Sequence, residues 1–128
     1  MCRHMRTHEL DSLREQFNRL SQRANQHLGT FDAHSVGLGR YVPGSSPWER
    51  HTNGDELLLV TDGEVRIETL ENDGNSRTEL LKAGSLFVVP KGLWHQLTAT
   101  ANVNILYLSP SEDGAERTRE HPSRGRGA

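Results

Sequence analysis

Between Thr7 and Leu28 apolar residues recur at steps of three and four, at Leu10, Leu13, Phe17, Leu20, Ala24 and Leu28. That spacing winds a single apolar stripe along a helix. It predicts an amphipathic α-helix over residues 7–29, with Thr7 as N-cap, Glu9 and Asp11 in the first turn, Arg23 and His27 near the far end, and Gly29 as the stop. Beyond Gly29 the texture changes. FDAHSVGLGRYVPG, DELLLVTDGEVRIETL, RTELLKAGSLFVVPKG and VNILYLSP are short β-like runs punctuated by glycine, proline, Asn-Gly and Asp-Gly. Many short strands with frequent turn signals predict an all-β sandwich or barrel. After Pro110, SEDGAERTREHPSRGRGA carries no apolar periodicity and predicts disorder. The expected layout is a loose tail over 1–6, a helix over 7–29, a β domain over 30–110 and a disordered tail over 111–128.

Strand register adds chemistry to this pattern. Asp62-Gly63 is a two-residue hairpin signal, which would pair Thr61 with Glu64, Val60 with Val65, Leu59 with Arg66 and Leu58 with Ile67. Alternation then gathers Leu58, Val60, Val65 and Ile67 on one apolar face, the core, and sends Leu57 and Leu59 to the other. Extending the register backwards puts Glu56 on the core side. A Thr52–Asp55 turn places His51 opposite it, with Glu49 on the same face. Burying unpaired carboxylates there costs several kcal/mol or raises their pKa values. Two solutions stand open: a divalent cation that needs these groups deprotonated and close together, or a wide barrel mouth in which all three stay wet.

Composition narrows the function classes. One cysteine, Cys2, excludes an intrachain disulfide, and the first ten residues hold no apolar signal region, which together predict a cytoplasmic protein. With 15 basic and 17 acidic residues the formal charge is −2, which excludes a general electrostatic grip on nucleic acid. No run is long enough to span a bilayer, so no membrane partner is expected.

The second half of the chain supplies a further histidine. GSLFVVPKGLWH, residues 84–95, has the spacing G-x5-P-x-G-x2-H on Gly84, Pro90, Gly92 and His95. It closely resembles the second motif of the cupin superfamily. The first cupin motif, G-x5-H-x-H-x3,4-E-x6-G, is matched by His51, Glu56 and Gly63. Three departures stand out: Glu49 replaces the first histidine, giving E-x-H; Gly44 lies one residue too close; and Ala99 replaces the asparagine that often closes the second motif. The resemblance covers roughly residues 34–109. It implies a cupin-type jelly-roll β-barrel (a double-stranded β-helix), here carrying one N-terminal amphipathic α-helix.

The same resemblance implies one divalent transition metal ion on His51, Glu56 and His95, with Glu49 as fourth ligand or, failing that, as a base beside the metal. Two histidines and a carboxylate suit Fe(II), the first expectation, and also accept Mn, Ni, Co, Cu or Zn. His34 reads as a surface histidine at a strand end, and Trp48 and Trp94 as packing at the barrel mouth or a subunit boundary. Leu57 and Leu59 need a cover, either the helix or a second subunit, and the resemblance implies a homodimer. The function expected is action on a small organic molecule at the metal, with dioxygenase, isomerase or lyase chemistry. The alternatives are a non-catalytic small-molecule-binding or sensing cupin and a metal-free, sugar-epimerase-like cupin.

Overall fold

The structure, a computed structural model, describes residues 6–122. A helix, α1 (Leu10–Asn18), precedes eleven strands: β1 (Ala24–Phe31), β2 (His34–Tyr41), β3 (Gly44–Ser45), β4 (Trp48–His51), β5 (Glu56–Asp62), β6 (Glu64–Leu70), β7 (Ser76–Lys82), β8 (Leu86–Val89), β9 (His95–Ala99), β10 (Val103–Pro110) and β11 (Ala115–Thr118). They form two antiparallel sheets, one in the order β1-β2-β10-β5-β8 and the other in the order β11-β4-β9-β6-β7, with β3 added to β9. This is the expected all-β jelly roll, with one short helix outside it.

Inward positions of both sheets meet in one apolar core. Leu58, Val60, Val65, Ile67, Leu81, Val89, Ala99, Val103 and Ile105 are all buried in it. Period-two alternation explains the set: Leu58 and Val60 on β5, Val65 and Ile67 on β6, and Val103 and Ile105 on β10 each share an inner face. The expected hairpin between β5 and β6 does not form, however. β5 pairs with β8 and β10, whereas β6 pairs with β7 and β9. Gly63 instead turns the chain from one sheet into the other at φ +80°, where a Cβ would come 2.6 Å from the Asn102 carbonyl. The inner face was still predicted correctly, because alternation belongs to each strand separately. His51 and Glu56 likewise lie on opposite sheets and meet across the interior.

Two further expectations are corrected. The helix spans Leu10–Asn18 rather than 7–29, its N-cap is Glu9 rather than Thr7, and Ala24 and Leu28 lie on β1. A step of four residues serves both a helical period of 3.6 and a strand period of 2. Ala24 and Leu28 accordingly pack against the same cluster as Leu13, Phe17 and Leu38, but from a strand. The segment after Pro110 is ordered where it is described: a 3-10 turn over Glu112–Gly114 leads into β11, which pairs with β4. The rest of that expected tail, 123–128, and residues 1–5 lie outside the described residues.

α1 packs on the outer face of the five-stranded sheet. Leu13 and Phe17 bury against Leu38, with Leu106 alongside. Polar contacts fix its orientation: Arg14 donates to both oxygens of Asp62 (3.0 and 3.1 Å), and Asn18 accepts from Asn104 at 2.8 Å. Arg40, buried, donates to the Leu20 carbonyl (2.7 Å) and to Asn104 (2.9 Å), a cation just past the end of the helix.

Candidate metal centre

Four side chains converge inside the barrel from three strands. β4 contributes Glu49 and His51, two residues apart and thus on one face; β5 begins with Glu56; β9 begins with His95. Each offers a ligand atom, and these atoms all lie within 4.8 Å of one another. His51 Nε2 stands 3.1 Å from Glu49 Oε1 and 3.4 Å from Glu56 Oε2, and His95 Nε2 stands 3.1 Å from Glu56 Oε1. His51, Glu56 and His95 are buried at 5%, 6% and 4% exposure. The sequence thus named all four residues, and the fold brings them together.

The hydrogen bonding around the cluster bears on what it holds. His95 Nδ1 lies 3.2 Å from the Leu93 carbonyl, an acceptor, so Nδ1 carries a proton. A neutral His95 then presents the bare Nε2 lone pair to a carboxylate oxygen, two acceptors facing each other. A cation between them, or a proton shared with the cluster, removes the repulsion. Two ligands at about 2.1 Å from one ion are separated by about 3 to 4.2 Å, so the observed spread closes onto a single ion with small side-chain shifts. Two imidazoles and two carboxylates therefore fit a divalent ion in both charge and spacing, and this cluster could hold one.

Protons take the part of the cation when no ion is bound. Burial opposes charge on His51, but hydrogen bonds to Glu49 and Glu56 outweigh it and raise its pKa to about 9. Burial alone would push Glu56 up. Hydrogen bonds from His51 and His95, the charge of His95 and the Ser109 hydroxyl hold it well below the usual carboxylate range instead. For Glu49, burial and the nearby Glu56 act upward, while the His51 hydrogen bond and the Arg117 charge bring it below its ordinary value.

Three participants were not expected. Ser109, inward on β10, donates to Glu56 Oε2. It shares the inner face with Val103, Ile105 and Tyr107, so the alternation in VNILYLSP already carried it. Arg117 of β11 forms an ion pair with Glu49 Oε2 and is itself held by Glu112 at 2.9 Å. Nothing in the charged segment AERT marks a strand, since its order comes from pairing Arg117 with Glu49 and Ala115 with His51. Tyr107 donates to Asn25 at 2.5 Å across the inner face.

The other singled-out residues sit at the margins. His34, half-buried, lies 2.8 Å from the Asp55 carbonyl. Trp48 is buried under the edge of His121, with ring centroids 4.9 Å apart, and Trp94 carries the Arg50 guanidinium 4.7 Å from its ring centre. Both tryptophans pack the outside of the site rather than line its cavity. The cluster closes the inner end of a cavity of about 680 Å³ that opens between the edge strands β1 and β11. Among the described residues no helix is long and apolar enough to cross a membrane.

Comparison with known proteins agrees with this architecture. The family model described as Cupin domain matches residues 37–110. An uncharacterized Bacillus subtilis protein, YdbB, is 32% identical over 73 residues, covering 57% of this chain and 60% of that protein. The chain thus spans less than two thirds of that relative's length. Among solved structures, a cupin-2 domain protein from Shewanella frigidimarina superposes with a TM-score of 0.64 at 23% identity, covering 77% of this chain and 92% of the other. Oxalate oxidase in complex with the substrate analogue glycolate superposes with a TM-score of 0.62 at 19% identity, covering 74% and 54%. At these identities the structural likeness speaks for the fold.

Proposed function

This chain belongs to the cupin family, and from that premise we propose that it is a mononuclear metal cupin acting on a small organic molecule, with Glu49, His51, Glu56 and His95 as the ligands. The observation that carries the reading is the convergence of four ligand atoms within 4.8 Å at the closed end of a cavity. When bound, the ion supplies Lewis acidity toward a coordinated substrate oxygen or, as Fe(II), the means to activate oxygen. Four protein ligands would leave a six-coordinate ion room for a small chelating ligand, and all four residues line the cavity.

The chain's own groups divide the remaining work. Ser109 pins one oxygen of Glu56, and the Leu93 carbonyl orients His95 with Nε2 inward. Arg117 occupies Glu49 Oε2, so only Oε1 faces the cluster. That arrangement supports Glu49 as a one-oxygen ligand over Glu49 as a free base. Two carboxylates with two imidazoles favour a harder divalent ion, and Fe(II) or Mn(II) is the expected occupant. The oxalate oxidase that shares the fold was solved with the substrate analogue glycolate, and a small oxygen-donor acid of that kind suits a cavity lined by arginines as well as by the four candidate ligands.

The reading extends to assembly and compartment. Leu86 and Val88 are 59% and 46% exposed on the outer face of the five-stranded sheet, next to half-buried Leu57 and Leu59. α1 covers the Leu38 and Leu106 side of this face and leaves those rows bare, which supports a homodimer. The single cysteine suits a reducing, cytoplasmic setting.

Elemental analysis of untagged protein tests the reading. It is expected to find close to one divalent ion per chain. His51→Ala and His95→Ala are expected to abolish binding, and Glu49→Gln to weaken it or change metal preference. Parent-like metal content in all three variants would place the site elsewhere.

A further inference from the structure

A second, smaller space opens beside the main cavity. This recess has a volume of about 130 Å³ and is lined on its deep side by Val65, Ala99 and Ile105, at 2%, 7% and 1% exposure. Arg23, Tyr41, Ser46, Pro47 and Leu97 line both spaces, so recess and cavity adjoin along these residues, with the Tyr41 and Leu97 side chains as the apolar part of the boundary. An apolar space of about 150 Å³ is enough to bind benzene. The recess is slightly smaller but open on one side, so it suits a branched chain of four or five carbons or a small ring that reaches past its rim.

Its electrostatics differ from those of the metal end. Among the described residues, Arg23 and Arg119 are the charged ones on its lining, and no carboxylate lines it. Arg23 is exposed, makes no ion pair with any described residue, and sits with its guanidinium carbon 6.0 Å from the centre of the Tyr41 ring. Arg119 is engaged with the Ser45 carbonyl at 3.4 Å. The Tyr41 hydroxyl hydrogen-bonds to no described residue, unlike that of Tyr107. Burial first, then the charges of Tyr107, Glu56 and Glu49, push Tyr41 up to about 12, so it stays a proton donor throughout the working range. The tyrosine is also seated by design of the strand beneath it. A Cβ on Gly39 would fall 2.7 Å from the Tyr41 hydroxyl oxygen, so only glycine leaves the ring its place.

We propose that this recess is a second substrate subsite: it takes the apolar body of a small organic acid whose carboxylate is held at the rim by Arg23 and the Tyr41 hydroxyl. The inference deepens the metal-cupin reading by naming a substrate class, and it rests on that reading for the idea that the cavity is a substrate site. None of the recess residues is a metal ligand, so the two stand or fall separately.

Benzoate and its uncharged analogue benzamide test it, titrated into the full chain by calorimetry or ligand-observed NMR, both metal-free and loaded with Mn(II). A charge-assisted hydrogen bond is worth enough that benzoate should bind at least about tenfold more tightly than benzamide in both forms. Arg23→Gln should erase that preference while leaving benzamide binding in place. Tyr41→Phe should weaken benzoate about threefold or more and benzamide little. Ala99→Leu, which fills the recess, should weaken both probes. If that variant does not fold, the Arg23 comparison decides alone. Equal affinity for the two probes, no binding of either to the wild type, or an Arg23→Gln protein that keeps the preference would overturn the subsite. A protein that binds Mn(II) without distinguishing the probes loses the subsite alone, and one that distinguishes them without binding metal loses the metal reading alone.

Discussion

His51 is where the chemistry of the site can be read in solution without knowing the substrate. Its pKa is raised from 6.5 to about 9 in the metal-free fold, so the stability it contributes is complete below pH 6.5 and is lost as the pH rises through 9. Glu56 works in the opposite sense: its pKa is lowered from 4.5, so its contribution is present above pH 4.5 and is lost as the pH falls below that value. Chelator-treated protein should therefore be most stable between these limits. Urea unfolding at several pH values is expected to show stability falling from pH 6.5 toward 9, and His51→Gln should flatten that fall. A wild-type profile already flat over this range would mean that His51 is not paired with the carboxylates. Ser109→Ala removes the hydroxyl donor to a buried carboxylate and should cost about 1 to 3 kcal/mol by the same measurement.

At the scale of elements, two segments outside the matched β domain are tied to it by different forces. α1 is held chiefly by burial. Phe17, 5% exposed, is its main anchor, and Phe17→Ala should destabilise the protein by about 3 kcal/mol, read from the urea midpoint. Asp62 orients the helix through Arg14, Asn18 and Asn104. Burial raises its pKa, but the donated hydrogen bonds from Arg14 and its neighbours dominate and hold it well below the usual range. β11 is held by pairing with β4 and by charge, with Arg50 to Glu116 at 2.5 Å and Thr52 donating to the Gly114 carbonyl at 2.9 Å. Ending the chain at Pro110 removes β11 and His121 from over Trp48. Its fluorescence should then shift to the red, whereas an unchanged spectrum would mean that the segment does not cover this residue in solution.

For the whole molecule, the open question of cover on the five-stranded sheet becomes a measurement of mass. Val88, Leu57, Leu108 and Val36 lie side by side across four strands, as do Leu86, Leu59, Leu106 and Leu38. α1 shields the Leu38 end of this surface only. Light scattering is expected to report a dimer, and Leu86→Lys with Val88→Lys a monomer that keeps its metal. A wild-type monomer at micromolar concentration would remove the second subunit from the account.

Much of this was legible in the chain because it depends on local pattern. Alternation assigned Leu58, Val60, Val65 and Ile67 to the core and Glu56 to the same side, and the spacings around His51 and His95 marked the site. Those properties survive any pairing of strands, since a strand's two faces are set by its own backbone geometry. Tertiary structure decided the rest. It put β5 and β6 in different sheets, turned Ala24 and Leu28 from a helix onto an edge strand, and ordered β11 so that Arg117 meets Glu49. It also built the recess between Tyr41 and Ile105. These outcomes rest on contacts between residues far apart in sequence, where neither periodicity nor composition distinguishes one partner from another.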